Sequence, residues 1–411
     1  MAVANISPLA PDRFPALDPV PGVRLASGAS GERYAGRDDL LLVELAPGTT
    51  VAGVTTRSRT AAPPVLWTRA MLAEGRASAL VVNAGNANAF TGPAGAECVA
   101  ATAGATAAAL GCGERAVAVA STGVIGVRPN IERITGAIPT LAESLADGGW
   151  ERGAGAIRTT DTFAKGAGAT ARIGDKPVTV AGIAKGSGMI APDMATMLAF
   201  LFTDARLPAP VLDRLLRQAV NRSFNSITVD GDTSTSDMAL LFATGRAGNR
   251  SIDDWRDSRL APFREALGAV CGDLARQIVR DGEGATKLVT IRVTGATSET
   301  AARRIGLTVA NSPLVKTAIA GSDANWGRIV AALGKTRERI DVGALAISMG
   351  GVQITDGEAL VEGYDETPVA AHLAGSEVEI GIDVGVGRGR ATVWTCDLTH
   401  GYIDINADYR S

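Results

Sequence analysis

The sequence predicts an α/β (α+β) protein in which helices are layered on mixed sheets. Alanine-rich helical stretches alternate with short Val/Ile/Leu runs that are bounded by Gly, Asn, Asp and Pro. Those runs are continuously apolar, which is typical of strands that are buried on both faces under helices. After about Lys287 the strands alternate polar and apolar residues more clearly, which favours a second, smaller α+β unit.

Each element is predicted by its own local pattern. Apolar runs predict strands over 39–46, 78–83, 116–121, 196–203, 226–229 and 238–243. Several predicted helices begin with Thr, Asp or Ser followed closely by Pro, which is an N-terminal capping signature. The helices span 64–74, 93–110, 129–145, 208–222, 253–280, 298–319 and 326–333. Alternating strands follow at 287–293, 340–347, 377–383 and 390–397.

The composition excludes several classes of protein. The chain has 411 residues, more than one ordinary domain of ~100–200 residues, and a formal net charge of −3. The sequence has no cluster of Lys and Arg residues of the kind that binds nucleic acid. The first residues lack a basic stretch followed by an apolar run, and the central apolar stretch at 194–202 is shorter than the ~20 residues of a membrane helix. We therefore expect small-molecule partners or copies of the chain itself, no nucleic acid, no membrane and a cytoplasmic location.

Cysteine and histidine usage argues against metal and triad chemistry. The four cysteines have no CxxC spacing and are interpreted as small buried side chains in a reducing compartment; they are Cys98, Cys112, Cys271 and Cys396. The histidines number two, His372 and His400, and are interpreted as surface or cap residues. We therefore expect no metal and no cofactor, and a catalytic base other than imidazole.

Four glycine-rich polar segments each flank an apolar run, where functional loops gather. They lie at 82–91, 121–126, 185–196 and 229–237. The alternative is that they are turns with left-handed glycines. None is a nucleotide-binding fingerprint, and the segment VDGDTSTSD lacks the closing Glu of a calcium loop. We expect its hydroxyls and carboxylates to form a hydrogen-bonded network behind a site.

The junction Ala195–Thr196 suits an intramolecular N→O acyl shift. A small residue precedes a hydroxyl residue that follows a flexible loop and opens an apolar strand. Cleavage there would free an α-amine with an unperturbed pKa of roughly 7.7–8.0, which is suited to a general base at neutral pH. Such a Thr–amine pair is a known substitute for Ser-His. The alternative is an ordinary Thr at the start of a strand.

The run AKGSGMIAPDMATMLAFLFTDA at 184–205 resembles the ornithine acetyltransferase (glutamate N-acetyltransferase) family of arginine biosynthesis. Further matching stretches follow in the family's order along nearly the whole chain. They include VVNAGNANAFTG, STGVIG, SFNSITVDGDTSTSD, DGEGATK, SDANWGRI and DINADYRS. Two departures are Asp193, where Asn is expected, and Ser226, where Arg is expected.

The resemblance implies self-cleavage into an α chain, 1–195, and a β chain, 196–411. The change in strand pattern after Lys287 predicts that about 287–400 of the β chain forms a smaller C-terminal domain. It implies an αββα sandwich similar to N-terminal-nucleophile hydrolases, and an α2β2 assembly. The implied reaction moves acetyl from N2-acetyl-L-ornithine to L-glutamate through an acetyl-enzyme on Thr196. Acetyl-CoA is a co-substrate for some members.

The resemblance also implies residue roles. Thr196 is the nucleophile, and Thr122 and Gly123 form the oxyanion hole. The implied substrate contacts are Thr160, Lys185, Thr196, Glu283, Asn406 and Ser411. Thr159 and Thr162 compete with Thr160 for this role. Without the resemblance, Glu283 is better interpreted as an exposed residue after a long helix.

Two other functions stay open. The first is a self-processed aminopeptidase or amidase that uses the same Thr with water as acceptor. The second is a non-catalytic small-molecule binding protein in which Thr196 is structural.

Overall fold

The computed structural model describes residues 6–34, 36–191 and 197–407. Four residues singled out by the sequence lie outside these ranges, namely Asp193, Ala195, Thr196 and Ser411.

Within the described residues, strands and helices alternate along the chain. The strands are β1 (Val23–Gly28), β2 (Leu40–Leu45), β3 (Thr50–Thr55), β4 (Ala79–Asn86), β5 (Val117–Val124), β6 (Lys165–Ile173), β7 (Lys176–Lys185), β8 (Leu198–Thr203), β9 (Met238–Ala243), β10 (Leu288–Ala296), β11 (Ala346–Met349), β12 (Val352–Gln353), β13 (Thr355–Asp356), β14 (Ala359–Leu360), β15 (Glu377–Asp383) and β16 (Gly389–Cys396). The helices are α1 (Pro63–Leu72), α2 (Pro93–Leu110), α3 (Ile131–Glu143), α4 (Trp150–Ala156), α5 (Ala209–Arg222), α6 (Ala261–Arg280), α7 (Glu299–Ala310), α8 (Pro313–Ala320), α9 (Trp326–Leu333), α10 (Thr367–Leu373) and α11 (His400–Ala407).

Two mixed sheets stack face to face at the centre of the molecule. The first sheet has the order β1-β2-β4-β5, and the central sheet has the order β3-β9-β8-β7-β6. One buried core joins them, with Leu80 and Val82 of the first sheet and Phe200, Phe202 and Phe242 of the central sheet. The Phe202 ring stacks on Phe242, with centroids 5.3 Å apart. These strands are therefore buried on both faces, as their continuous apolar runs predict.

Helices cover the outer face of each sheet. The first sheet packs against α2 and α3 through a core that includes Val99, Ala103 and Ile138. The central sheet packs against α5 and α6 through a core that includes Leu215 and Phe263. The predicted α/β class and αββα sandwich are confirmed.

A third core lies at the carboxyl-terminal end of the described chain. The sheet β12-β11-β15-β10-β16 packs against α7, α8 and α9. On β15 buried and exposed residues alternate, so this sheet has one covered face.

Several predicted elements are wrong in extent. The predicted strand at 226–229 is instead a 3-10 turn, Phe224–Ser226, followed by a single bridge from Ile227 to Trp394. The predicted helix at 298–319 is two helices, because the chain leaves α7 after Ala310 and Pro313 opens α8. Proline lacks the N–H that a helix interior requires, so it marks a new first turn.

Two elements begin several residues after their predicted first residue, because a short turn capped by an aspartate precedes each of them. The helix predicted from 253 begins at Ala261, since the Asp257 side chain accepts from Arg259 N and holds a 3-10 turn there. The strand predicted from 340 begins at Ala346, since the Asp341 side chain accepts from Gly343 N in the same way. Aspartate competes with regular structure by such local hydrogen bonds.

Across the described residues, no helix is both long and apolar enough to cross a membrane.

Candidate active site

The ends of several strands meet on one side of the sandwich. In the central sheet Lys185, at the end of β7, pairs with Leu198 at the start of β8. Leu198 in turn pairs with Met238 at the start of β9. The glycine-rich segments that follow β7 and precede β9 therefore lie at one edge of the central sheet, and the segment at the end of β5 meets them there.

A cavity of about 230 Å³ lies where these segments converge. Six residues that the sequence singled out line it, namely Thr122, Gly123, Thr160, Lys185, Glu283 and Asn406. The cavity wall also includes Thr159, Gly188, Met189, Ser234, Thr235 and Ser236. The structure thus brings together residues that are far apart in the chain.

Lys185 organises one wall of the cavity. Its side chain is buried, and its Nζ donates to Thr122 Oγ1 at 3.1 Å and to Thr159 Oγ1 at 2.9 Å. Burial lowers the pKa of Lys185, although the charge of Asp161 opposes this. Because the Thr122 oxygen accepts from Lys185, its own hydroxyl proton stays available to donate into the cavity.

Gly123 provides a backbone position that a side chain could not occupy. It has a φ of +132°, and a Cβ there would lie 2.2 Å from the Gly85 carbonyl carbon on β4. Gly85 and Gly123 are paired in the parallel register of the two strands. The pair of glycines therefore lets β4 and β5 approach closely beneath the cavity.

Glu283 is buried in the opposite wall, so its interpretation as an exposed residue after a helix is wrong. Burial raises its pKa, whereas hydrogen bonds from Asn406 and Thr160 lower it. The Asn406 Nδ2 donates to Glu283 Oε2 at 2.8 Å. A Cβ at Gly188 would lie 2.4 Å from the Glu283 carboxyl, so only glycine admits the carboxyl here.

The three neighbouring threonines have different surroundings. Thr159 and Thr160 line the cavity, the former holding Lys185. Thr162 instead donates through its hydroxyl to Asp281 Oδ1 at 2.5 Å and accepts from Ser7 N at 2.9 Å. Thr162 therefore ties the amino-terminal segment to the end of α6.

A buried ion cluster lies behind the cavity and was not predicted. Lys165 has no exposed side-chain surface, and its Nζ lies 2.7 Å from Asp161 Oδ1 and 2.5 Å from Asp281 Oδ2. Asp161 Oδ1 also accepts from Gly186 N at 2.6 Å, next to Lys185. Burial would raise the pKa of Asp161, but the charges of Lys165 and Lys185 outweigh it and hold that pKa below its ordinary value. The cluster fixes the loops on either side of the cavity.

The segment before β9 forms the expected hydrogen-bonded network. Asp230 accepts from Met189 N at 2.5 Å and from Ile190 N at 2.9 Å. Asp237 accepts from Met197 N at 2.9 Å. The segment thus holds the chain on both sides of residues 192–196.

The cysteines and histidines lie apart from this chemistry. Among the cysteines, which are all free, Cys98, Cys271 and Cys396 are buried and Cys112 is half-buried. His372 Nε2 accepts from Glu379 N at 2.8 Å, and His400 is exposed at the start of α11. Within the described ranges, no group of His, Cys, Asp and Glu has the arrangement of a metal site.

The chain is similar to known proteins along nearly its whole length. The ArgJ family model matches residues 24–411. The arginine biosynthesis bifunctional protein ArgJ of Gluconobacter oxydans (strain 621H) is 55% identical over 406 residues, which cover 99% of this chain and 96% of that protein. The protein of the same name from Brucella suis biovar 1 (strain 1330) is 50% identical over 411 residues, which cover 99% of this chain and 100% of that protein. The crystal structure of arginine biosynthesis bifunctional protein ArgJ from Bacillus halodurans is 40% identical, covers 50% of this chain and 95% of that chain, and has a TM-score of 0.48.

Proposed function

Because the chain belongs to the ArgJ family, we propose that it moves the acetyl group of N2-acetyl-L-ornithine to L-glutamate, which gives ornithine and N-acetylglutamate. Membership makes the chain an enzyme of arginine biosynthesis, and the resemblance deduced from the sequence is confirmed. The proposed reaction uses Thr196 twice, first to cleave the chain and then to carry the acetyl group.

Cleavage precedes catalysis in this proposal. The Thr196 hydroxyl attacks the Ala195 carbonyl carbon, the peptide C–N bond breaks, and an ester forms while the Thr196 nitrogen becomes an amine. Water then hydrolyses the ester, which leaves a carboxylate on Ala195 and restores the hydroxyl. The amine, with an ordinary pKa of roughly 7.7–8.0, is available as a base beside the nucleophile.

Acetyl transfer follows in two halves. The Thr196 oxygen attacks the acetyl carbonyl, and the α-amine takes the hydroxyl proton. The negative oxygen of the tetrahedral intermediate accepts from the Thr122 hydroxyl and the Gly123 N–H. The bond to ornithine breaks, and the proton passes to the leaving amine. Glutamate then takes the acetyl group by the reverse path. One oxyanion donor typically lowers the barrier by ~2.7–4 kcal/mol.

The gathering of six predicted residues in one cavity carries this proposal. Met197, the residue after Thr196, directly precedes β8, and its amide donates to Asp237. Lys185 offers a cation for a substrate carboxylate, and Glu283 offers a carboxyl for the ornithine ammonium. Burial opposes the charge on both side chains, and a substrate that brings opposite charges beside them would favour the charged form of each.

Cleavage is tested by a denaturing gel with mass spectrometry. We expect the wild type to give two fragments of similar size that end at residue 195 and begin at residue 196. Thr196→Ala removes the attacking oxygen and should give one band near 41.9 kDa. An active wild type with an intact 195–196 bond would refute the mechanism and favour a structural Thr196.

The acceptor is tested on the cleaved enzyme with N2-acetyl-L-ornithine. We expect acetyl to appear on glutamate, and little free acetate. Release of acetate at the same rate with and without glutamate would favour an amidase, in which water is the acceptor.

Three further features are proposed from the family resemblance. Acetyl-CoA serves as a second acetyl donor, no other cofactor is needed, and two copies of each fragment form an α2β2 assembly in the cytoplasm. Parallel assays with the two donors test the first feature. Light scattering tests the assembly, whose mass should be twice 41.9 kDa.

A further inference from the structure

We propose that Thr159 is a positioning residue of the acetyl transfer, which acts through Lys185 to keep the Thr122 hydroxyl directed into the cavity as an oxyanion donor. The inference rests on the proposed function and deepens it. Two threonine hydroxyls with the lysine Nζ between them form a relay, Thr159–Lys185–Thr122, along one wall of the cavity.

Lys185 joins the two hydroxyls of the relay. Its Nζ donates to Thr159 Oγ1 at 2.9 Å and to Thr122 Oγ1 at 3.1 Å. Lys185 and Thr122 are buried, and Thr159 is half-buried on the cavity wall. Hydrogen bonds are stronger where water is excluded, so a change at one hydroxyl is felt at the lysine between them.

The charge of Lys185 decides which way the Thr122 proton points. A hydroxyl has one proton and two acceptor sites, so Thr122, which accepts from the ammonium, donates elsewhere and faces the cavity. A neutral Lys185 amine could instead accept that proton. Burial lowers the pKa of Lys185 and favours the neutral amine, whereas the charge of Asp161 opposes this. Thr159 supplies a further oxygen that accepts from Nζ and favours the ammonium.

Asp161 fixes the position of Thr159 relative to Lys185. Thr159 N donates to Asp161 Oδ2 at 3.1 Å, and Gly186 N donates to Asp161 Oδ1 at 2.6 Å. The Asp161 side chain has no exposed surface and is paired with Lys165 at 2.7 Å. One carboxylate therefore holds the backbone on both sides of the hydrogen bond between Thr159 and Lys185. With its backbone held, Thr159 positions the lysine.

The next threonine serves the opposite wall. The Thr160 side chain is hydrogen-bonded to Glu283, whose pKa it lowers. Thr159 and Thr160 thus hold the cation of one wall and the carboxyl of the other. Loss of the Thr159 hydroxyl leaves the Glu283 wall intact, so its effect reports on the oxyanion side of the cavity.

The test is a double-mutant cycle on kcat, measured on cleaved full-length protein with saturating N2-acetyl-L-ornithine and L-glutamate. Thr159→Val removes the acceptor oxygen at similar volume, and kcat should fall about tenfold. Thr122→Val removes the oxyanion donor itself and should lower kcat about a hundredfold or more. Because Thr159 acts through Thr122, adding Thr159→Val to Thr122→Val should lower kcat by less than about twofold. If Thr122→Val does not cleave, Lys185→Met takes its place in the cycle.

Two further variants separate positioning from a general structural effect. Thr159→Ser keeps the acceptor oxygen and should keep kcat within about threefold of the wild type. The matched control is Thr179→Val, since Thr179 is half-buried on the same strand as Lys185 and pairs with Thr170 at the end far from the cavity. This control should have the kcat of the wild type.

Several results would overturn the assignment. A Thr159→Val variant with the wild-type kcat, or one that stays uncleaved, would do so. An equal effect of Thr159→Val with and without the Thr122 hydroxyl would show instead that Thr159 contacts the substrate directly. A Thr159→Ser or Thr179→Val variant as slow as Thr159→Val would also refute the relay. A wild type that stays uncleaved or transfers no acetyl would instead refute the proposed function, so the two failures are distinguishable.

Discussion

Several charged side chains behind the cavity are fully buried. Lys165 has two carboxylate partners, Asp161 and Asp281, and none of the three side chains has exposed surface. Burial opposes the Lys165 charge, but the two carboxylates outweigh it and raise its pKa. The three charges stabilise one another, and the loss of one side chain leaves a buried charge without its partner of opposite sign.

Lys165→Met tests that dependence. Two buried carboxylates would lose their cation, so we expect a loss of about 3–5 kcal/mol in the free energy of unfolding. Urea titration of the variant in a Thr196→Ala background, where the chain stays in one piece, measures it. The control is Arg217→Met, which breaks the exposed pair with Asp213 and should cost about 0.5 kcal/mol or less. If the two variants lost equal amounts of free energy of unfolding, Lys165 would not be the cation of a buried cluster.

The residues of the site were predictable to different degrees. Thr122, Lys185 and Glu283 were found through motif resemblance, and the structure brings them to one cavity. Lys165 was missed because its partners lie 4 and 116 residues away, and spacing along the chain does not reveal a triad of that kind. The sequence predicts that Asp237 belongs to a hydrogen-bonded network, but it does not predict which group each carboxyl oxygen binds. That depends on the direction of the carboxyl, which is set by the packing of β8 and β9.

At the scale of elements, strand β8 packs against both layers that flank the central sheet, which are the first sheet and the helices α5 and α6. Phe200 faces the core between the two sheets, and Leu201 faces the core under α5 and α6. Gly182 on β7 leaves room for Leu201, since a Cβ there would lie 2.6 Å from the Leu201 side chain. Both faces of the strand therefore stabilise the fold.

Truncation of either face should be costly. In the same single-chain background, Phe200→Ala should lose about 3–5 kcal/mol and Leu201→Ala about 2–5 kcal/mol, since each leaves a cavity in a packed core. Urea unfolding measures both. Leu314→Ala on α8 is the control, because Leu314 is 57% exposed and should change stability by about 0.5 kcal/mol or less. If the Leu201→Ala variant were as stable as that control, Leu201 would not be packed in a core under α5 and α6.

Elements with a strong local pattern were predictable, whereas one strand built from small residues was not. The limits of α2, α9, β9 and β15 agree with the sequence patterns. The strand β6 was missed because most of the apolar positions of KGAGATARI are alanines, which do not distinguish a strand from a helix or a loop. Its small residues serve contacts with distant parts of the chain: a Cβ at Gly166 would lie 2.2 Å from the Phe14 ring. The need for a residue without a side chain at this position is evident only in the folded chain, where Phe14 lies beside Gly166.

At the scale of the whole molecule, the two proposed fragments share one sheet. Strands β3, β7 and β6 precede residue 195, whereas β8 and β9 follow it, in the order β3-β9-β8-β7-β6. The proposed cleavage therefore leaves two strand pairings between fragments, β3 with β9 and β7 with β8.

We expect the two fragments to stay together in solution. The proposed break lies outside β7 and β8, so it removes neither the strand pairings of the shared sheet nor the cores on its two faces. Gel filtration of the cleaved wild type should give one peak that contains both fragments, and separation should require denaturant. Fragments that elute apart without denaturant would show that the shared sheet does not hold them.

The interleaved order of that sheet has a consequence for the timing of activity in the cell. A nascent chain that has emerged only as far as β7 lacks the two middle strands of the sheet. Asp237, Glu283 and Asn406 are all synthesised after the proposed scissile bond, and Asn406 follows Glu283 by 123 residues. The candidate cleft therefore takes shape only after translation has passed Asn406, and a polypeptide that stops earlier lacks part of its wall.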